Sequence, residues 1–221
     1  MRRIKPQARG AVQPSALFGV ALLLALSCAG CKPKELQALL EPGQALSSVL
    51  ADEAVRLAGT KKQVALITPD ASWGPASTVE ESLRGALKKR GVTVITAKAA
   101  DVGNPMFSGQ VGLKAKDFLE ALEKSAGAGA VISLAGAPLL KPEDASRVSP
   151  DHPPVLVVAT AMQGNKMGLR MDPVQLARLL EAKVIQLAII DGADLTIQPA
   201  GKKDPTRELF AQHYRILHRP D

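Results

Sequence analysis

Cysteine is nearly absent from this chain of 221 residues: there are two, Cys28 and Cys31, and none after them. A body without thiols forms no disulfide and offers no cysteine nucleophile or cysteine metal ligand, whatever its compartment. Aromatic residues make up 3% of the chain, with one Trp and one Tyr. That is too few for a base-stacking platform, so nucleic acid is not an expected partner. No GxxxxGK[ST] or GxSxG pattern occurs. His152, His213 and His218 are scattered without metal-ligand spacing. The GxG within Ser125-Ala-Gly-Ala-Gly-Ala130 precedes an apolar run, whereas a dinucleotide fingerprint follows a strand and opens a helix. It reads as a helix stop and turn. No cofactor, metal or catalytic residue is expected.

Acidic residues are absent from the first 31 positions, and their distribution locates the excess of positive charge. The chain has 28 basic and 21 acidic residues, net +7. Arg2, Arg3, Lys5 and Arg9 precede Cys31, leaving 24 basic against 21 acidic residues, net +3, in the remainder. The high basicity therefore belongs largely to the leader and is poor evidence for a polyanionic partner. After this basic head comes an uncharged run, Ala16 to Leu26, then the small residues Ser27 to Cys31. Such a run, of roughly 7–15 apolar residues before a small-residue cleavage site, describes a secretory signal. It is short for a spanning helix, which needs about 20.

The close of the leader, Ala29-Gly30-Cys31, resembles the lipobox of bacterial lipoproteins. The resemblance implies acylation of the Cys31 thiol, cleavage just before it, and acylation of the new amino group. Cys28 closes a second frame, Ala25-Leu26-Ser27-Cys28, in which Leu26 and Ser27 suit the cleavage pocket less well than Ala29 and Gly30 do. Lys32 is not the Asp that retains family members at the inner membrane, so outer-membrane placement is favoured. The expected organisation is a signal peptide at 1–30, a tether at 31–43 punctuated by Pro42-Gly43, and a single domain at 44–221 facing the periplasm.

Within that domain, helical and strand patterns alternate. A helix is expected over Gln44–Ala58, where Leu46, Val49, Leu50, Ala54 and Leu57 share a face. Others are expected over Thr78–Arg90, with Ser77 and Glu80 as a capping box, over Lys114–Ser125, and from Pro173 to about Lys183, capped by Asp172. The runs VALIT (64–68), VTVIT (92–96), AVISL (130–134), VLVVAT (155–160) and IQLAII (185–190) read as strands buried on both faces. A short edge strand is expected at Leu195 to Ile197. Residues 206–217 read as a helix, or as a short helix followed by a strand at Tyr214 to Leu217. The fold class is α/β: a three-layer, Rossmann-like sandwich with a mainly parallel sheet of five or six strands.

In such sheets ligands lie beyond the carboxyl ends of the strands. The candidate ligand-binding residues there are Asp70, Ser72 and Trp73 after the first strand, Gly136 after the third, Thr160 and Asn165 after the fourth, and Asp191 after the fifth. Asp and Ser also serve turns and helix caps, and Trp73 could equally cover the edge of the core. The stretch V-A-L-I-T-P-D, S-W-G-P and VTVIT resembles the opening of type I periplasmic binding proteins, and AVISL with Ala-Gly-Ala resembles the third strand of the same lobe. This implies that the loop carrying Asp70, Ser72 and Trp73 lines a ligand cleft. Those proteins have two lobes and this chain has room for one. The expected function is a lipid-anchored binding or accessory module, holding a small polar ligand or a partner protein. The alternatives are a structural lipoprotein docking an envelope protein through a sheet edge or the loop at 136–154, and an enzyme using Asp70 and Asp191 as acid and base.

Overall fold

The computed structural model describes residues 34–70, 75–102, 112–160, 173–192 and 204–219, with side chains from Leu40 onward in the first stretch and from Thr78 in the second. The chain divides into two compact units, Met1–Ala38 and Leu39–Asp221. Of the first, the described part is a short run of helix.

That run opens α1, Lys34–Ala58, which starts ten residues before the Gln44 expected from the punctuation at Pro42-Gly43. Proline removes one i→i−4 bond, and here helix formers on both sides carry the helix through it. Ser47 Oγ donates to Gly43 O at 2.8 Å within the following turn. The next elements are β1 (Gln63–Pro69), α2 (Pro75–Lys89) and β2 (Thr93–Ala100). Because α2 begins at Pro75, Ser77 lies inside the helix and not at its N-cap position. Glu80 instead accepts from Arg84 Nε at 2.8 Å, one turn on, and Arg84 also reaches Thr96 Oγ1 at 2.7 Å. Then follow β3 (Leu113–Lys114), α3 (Ala115–Lys124), β4 (Ala130–Ser133), β5 (Pro138–Leu139), α4 (Pro142–Ala145) and β6 (Val155–Ala159). The last are α5 (Pro173–Glu181), β7 (Leu187–Asp191), α6 (Pro205–His213) and β8 (Tyr214–His218). The C-terminal stretch is thus a short helix followed by a strand. The capping Asp172 and the edge strand expected at 195–197 lie outside the described residues. The long connection 136–154 is not bare loop, since β5 pairs with β3 and α4 follows.

The main sheet has the order β2-β1-β4-β6-β7-β8, parallel throughout except for β8, which runs antiparallel to β7. Its strands alternate side chains between two cores, except where a bulge at Ala97 shifts the register of β2 against β1. Val64, Leu66, Ile132, Leu156, Val158 and Ile189 meet α1, α2 and α6 on one face. Ala65, Ile67, Val131, Val157 and Ala188 meet α3 and α5 on the other. This double burial is why the strand runs are continuously apolar. The two cores make a helix–sheet–helix sandwich, the α/β architecture expected.

The glycine pair at 127 and 129 does more than stop α3. A Cβ on Gly129 would lie 2.7 Å from Ala58 Cβ and 2.8 Å from Lys61 Cβ and from the Lys61 carbonyl oxygen, whereas Gly127 has open space around it. Gly129 N–H donates to Gln63 O at 2.8 Å. The missing side chain lets β4 start hard against the turn between α1 and β1.

Candidate functional site

β1 is followed in sequence by β2 on one side and, through α3, by β4 on the other. Right-handed crossovers then put α2 and α3 on opposite faces, and the connections part above β1 and β4. The crevice so formed at the carboxyl edge is where this strand order holds ligands.

Strand register aligns the predicted residues at that edge. Ile67 pairs with Ser133, Ser133 with Val157, and Ala159 with Ile190. The same offsets carried past the ladders put Asp70, Gly136, Thr160 and Asp191 at one level across the sheet. The register of Pro69 with Ala100 brings in Asp101, and Asp191 pairs directly with Tyr214. Alternation puts Asp70, Thr160 and Asp191 on the face shared with α1, α2 and α6. On that face the strands turn from apolar to polar together: Leu66-Thr68-Asp70, Val158-Thr160 and Ile189-Asp191, each pair two residues apart. Asp70 and Asp191 are exposed, while Thr160 is 3% exposed.

The row is not a single cluster. Thr160 and Asp191 sit on neighbouring strands, about 5 Å apart, and Asp70 stands two further strands away. Between β1 and β7 lie three strand spacings, about 14 Å. The acid–base pair of Asp70 and Asp191 needs its carboxyls together, and the sheet holds their strands too far apart. Gly136 lies between them in a turn that follows β4: its φ is +84°, and its carbonyl accepts from Ser133 Oγ at 2.6 Å. Ser72, Trp73 and Asn165 lie outside the described residues, as do Cys28 and Cys31. Among the described residues no group of three or more His, Cys, Asp or Glu is placed to hold a metal.

Among the described residues, Thr160 Oγ1 is the buried side-chain polar atom without a hydrogen-bond partner. Such a hydroxyl costs about 1–3 kcal/mol if it stays unpaired. Sequence inspection missed Thr68, Asp101 and Tyr214 in this neighbourhood. A polar residue closing an apolar strand run was the available sign for Thr68. Tyr214 gave no sign, because its position depends on β8 folding back along β7. Its ring lies 5.4 Å from that of Phe210. Burial, and then the negative charge of Asp191, push the Tyr214 hydroxyl up to about 12. A raised acid stays neutral in the folded protein after it ionises in the unfolded chain, so its contribution is full below pH 10 and is lost as the pH climbs toward 12. Denaturant titrations should show stability falling across that window in the wild type by no more than about 2–3 kcal/mol from this group. The Tyr214→Phe protein should lack that component, and an unchanged profile would disprove the coupling.

Two open grooves lie at the other, amino edge. One, of about 390 Å³, is lined by Gly59, Lys61, Gly129 and Pro154 among others. The second, of about 460 Å³, is lined by Leu122, Arg147 and Ser149 among others. His152 borders both, with its ring nitrogens 2.7 Å from Pro153 O and 3.2 Å from Lys183 O. Both nitrogens face carbonyl oxygens of the protein's own backbone, and the neutral ring donates to one of them. The carboxyl edge, with divergent connections and a buried hydroxyl that has no partner among the described residues, is the better candidate.

No family model and no curated protein matches the chain. Among solved structures, a periplasmic ribose ABC transporter protein from Conexibacter woesei superposes with a TM-score of 0.44 at 13% identity, over 67% of this chain and 45% of that one. This chain therefore spans less than half the length of that protein.

Proposed function

We propose that this chain is a lipoprotein of the bacterial cell envelope whose α/β body is a non-catalytic binding module. Cys31 carries the lipid, the body faces the periplasm from the outer membrane, and the carboxyl edge of the sheet takes a small polar ligand. The observation that carries the binding role is Thr160, a buried hydroxyl without a partner among the described residues, set beside Asp191 in a polar row at the switch point. A ligand hydroxyl or amine would satisfy Thr160 and donate to the exposed carboxylates. The lipobox-like leader supports the compartment, and the thiol-free remainder suits it.

The test is a thermal-shift screen of the processed protein against sugars, amino acids and nucleosides. A ligand at a hundred times its Kd stabilises by about 2.7 kcal/mol. For a domain of this size that raises Tm by about 5–10 °C. Thr160→Val should bind the same ligand more weakly while folding at least as stably, since it removes a buried hydroxyl without changing shape. If no compound shifts Tm, or if Thr160→Val binds like the wild type, the ligand role fails. In-cell cross-linking to one defined envelope protein would then favour docking instead.

A further inference from the structure

We infer that the carboxyl edge of the sheet, with its polar row, faces the lipid bilayer. The inference rests on the lipid anchor proposed above, and adds which side of the body that anchor presents.

The direction of α1 carries it. Ala58, the last residue of α1, packs at the amino edge, where Lys61 N–H donates to Ala58 O at 3.1 Å just before β1 starts. Arg90, between α2 and the amino end of β2, holds Asp52 Oδ1 at 2.8 Å. Ser47 Oγ, further back along α1, lies 3.1 Å from Val79 O near the start of α2, which follows the carboxyl end of β1. The helix therefore climbs from the amino edge toward the carboxyl edge as the numbering falls. The chain enters the α/β unit at Leu39, on the carboxyl-edge side.

The reach of the anchor is short. Lys34–Ala38 is helical, so only the steps from Cys31 to Lys34 can be fully extended. Three extended steps and five helical ones span at most about 18 Å from the Cys31 backbone to that of Leu39. The seven residues of β1 are themselves about 23 Å long. The amino edge, with its two grooves, then points away from the membrane. Asp70, Asp101 and Asp191 are exposed on the carboxyl edge, and carboxylates are costly within the acyl layer. The edge thus lies over the surface across water and is not embedded in it. A ligand or partner reaches the row along the membrane plane.

The thiol-free body allows a direct test with the full lipidated protein in phosphatidylethanolamine–phosphatidylglycerol vesicles. Asp70→Cys and Lys61→Cys place a maleimide dye at opposite ends of β1, both at exposed positions separated by about 30 Å of extended chain. Energy transfer to a rhodamine-labelled lipid should be more efficient from position 70 than from position 61. Equal transfer, or more from position 61, overturns the orientation while leaving the anchor intact. A protein that carries no fatty acid and fails to sediment with the vesicles overturns the anchor itself.

Discussion

A Cys31→Ala protein is expected to lose its palmitate label entirely and to stay at precursor size, whereas the wild type is processed and enters the detergent phase of a Triton X-114 partition. The physical basis is steep. Each buried methylene contributes about 0.8 kcal/mol, and stable attachment takes more than one acyl chain. Removing the sulfur removes the first chain, and without processing the new amino group that would carry another never appears. Cys28→Ala should keep both the label and the partition, because Ala29-Gly30 still precedes Cys31. Label retained in Cys31→Ala and lost in Cys28→Ala would move the anchor to the earlier frame. With no cysteine after Cys31, reductant should leave the melting temperature of the body unchanged.

Phe118→Ala should be the most damaging single truncation in the core facing α3 and α5. The chain has four phenylalanines, and Phe118 is fully buried in a layer otherwise built of Ala, Val, Ile and Leu. Among the described residues of that layer no second ring is present to close over the space. Phe→Ala in such a setting costs about 3–5 kcal/mol. For a domain of this size that lowers Tm by about 6–20 °C. Leu119→Ala, next along α3 and only half-buried, should cost clearly less. Urea denaturation of the two variants checks the ranking, and a loss under about 1 kcal/mol at Phe118 would mean that the layer closes over the gap.

The sandwich was legible because burial on both faces leaves a strong mark. VALIT, AVISL and VLVVAT read as strands since neither side meets water, and they became β1, β4 and β6 with ends moved by a residue or two. The start of α1 was misplaced because Pro-Gly is a good local stop, whereas one lost backbone bond is a small term within a helix of 25 residues. Ser77 and Glu80 had the right spacing for a cap, but Pro75 opens the helix earlier and Arg84 takes the carboxylate. Gly129 looked like punctuation, and its larger role comes from Ala58 and Lys61, which approach it from a distant part of the chain.

The alternation of apolar runs, a thiol-free body and the charge-segregated leader are local or compositional properties, so inspection of the residues alone was enough to establish the α/β class and the expectation of an exported, anchored body. Strand order is different in kind. Nothing local states that β4 pairs with β1 or that β8 returns beside β7, because pairing follows from which crossovers bury both faces at once. That non-local choice put the strands of Asp70 and Asp191 three spacings apart, about 14 Å, which argues against joint chemistry, and set Thr160 on the strand next to that of Asp191.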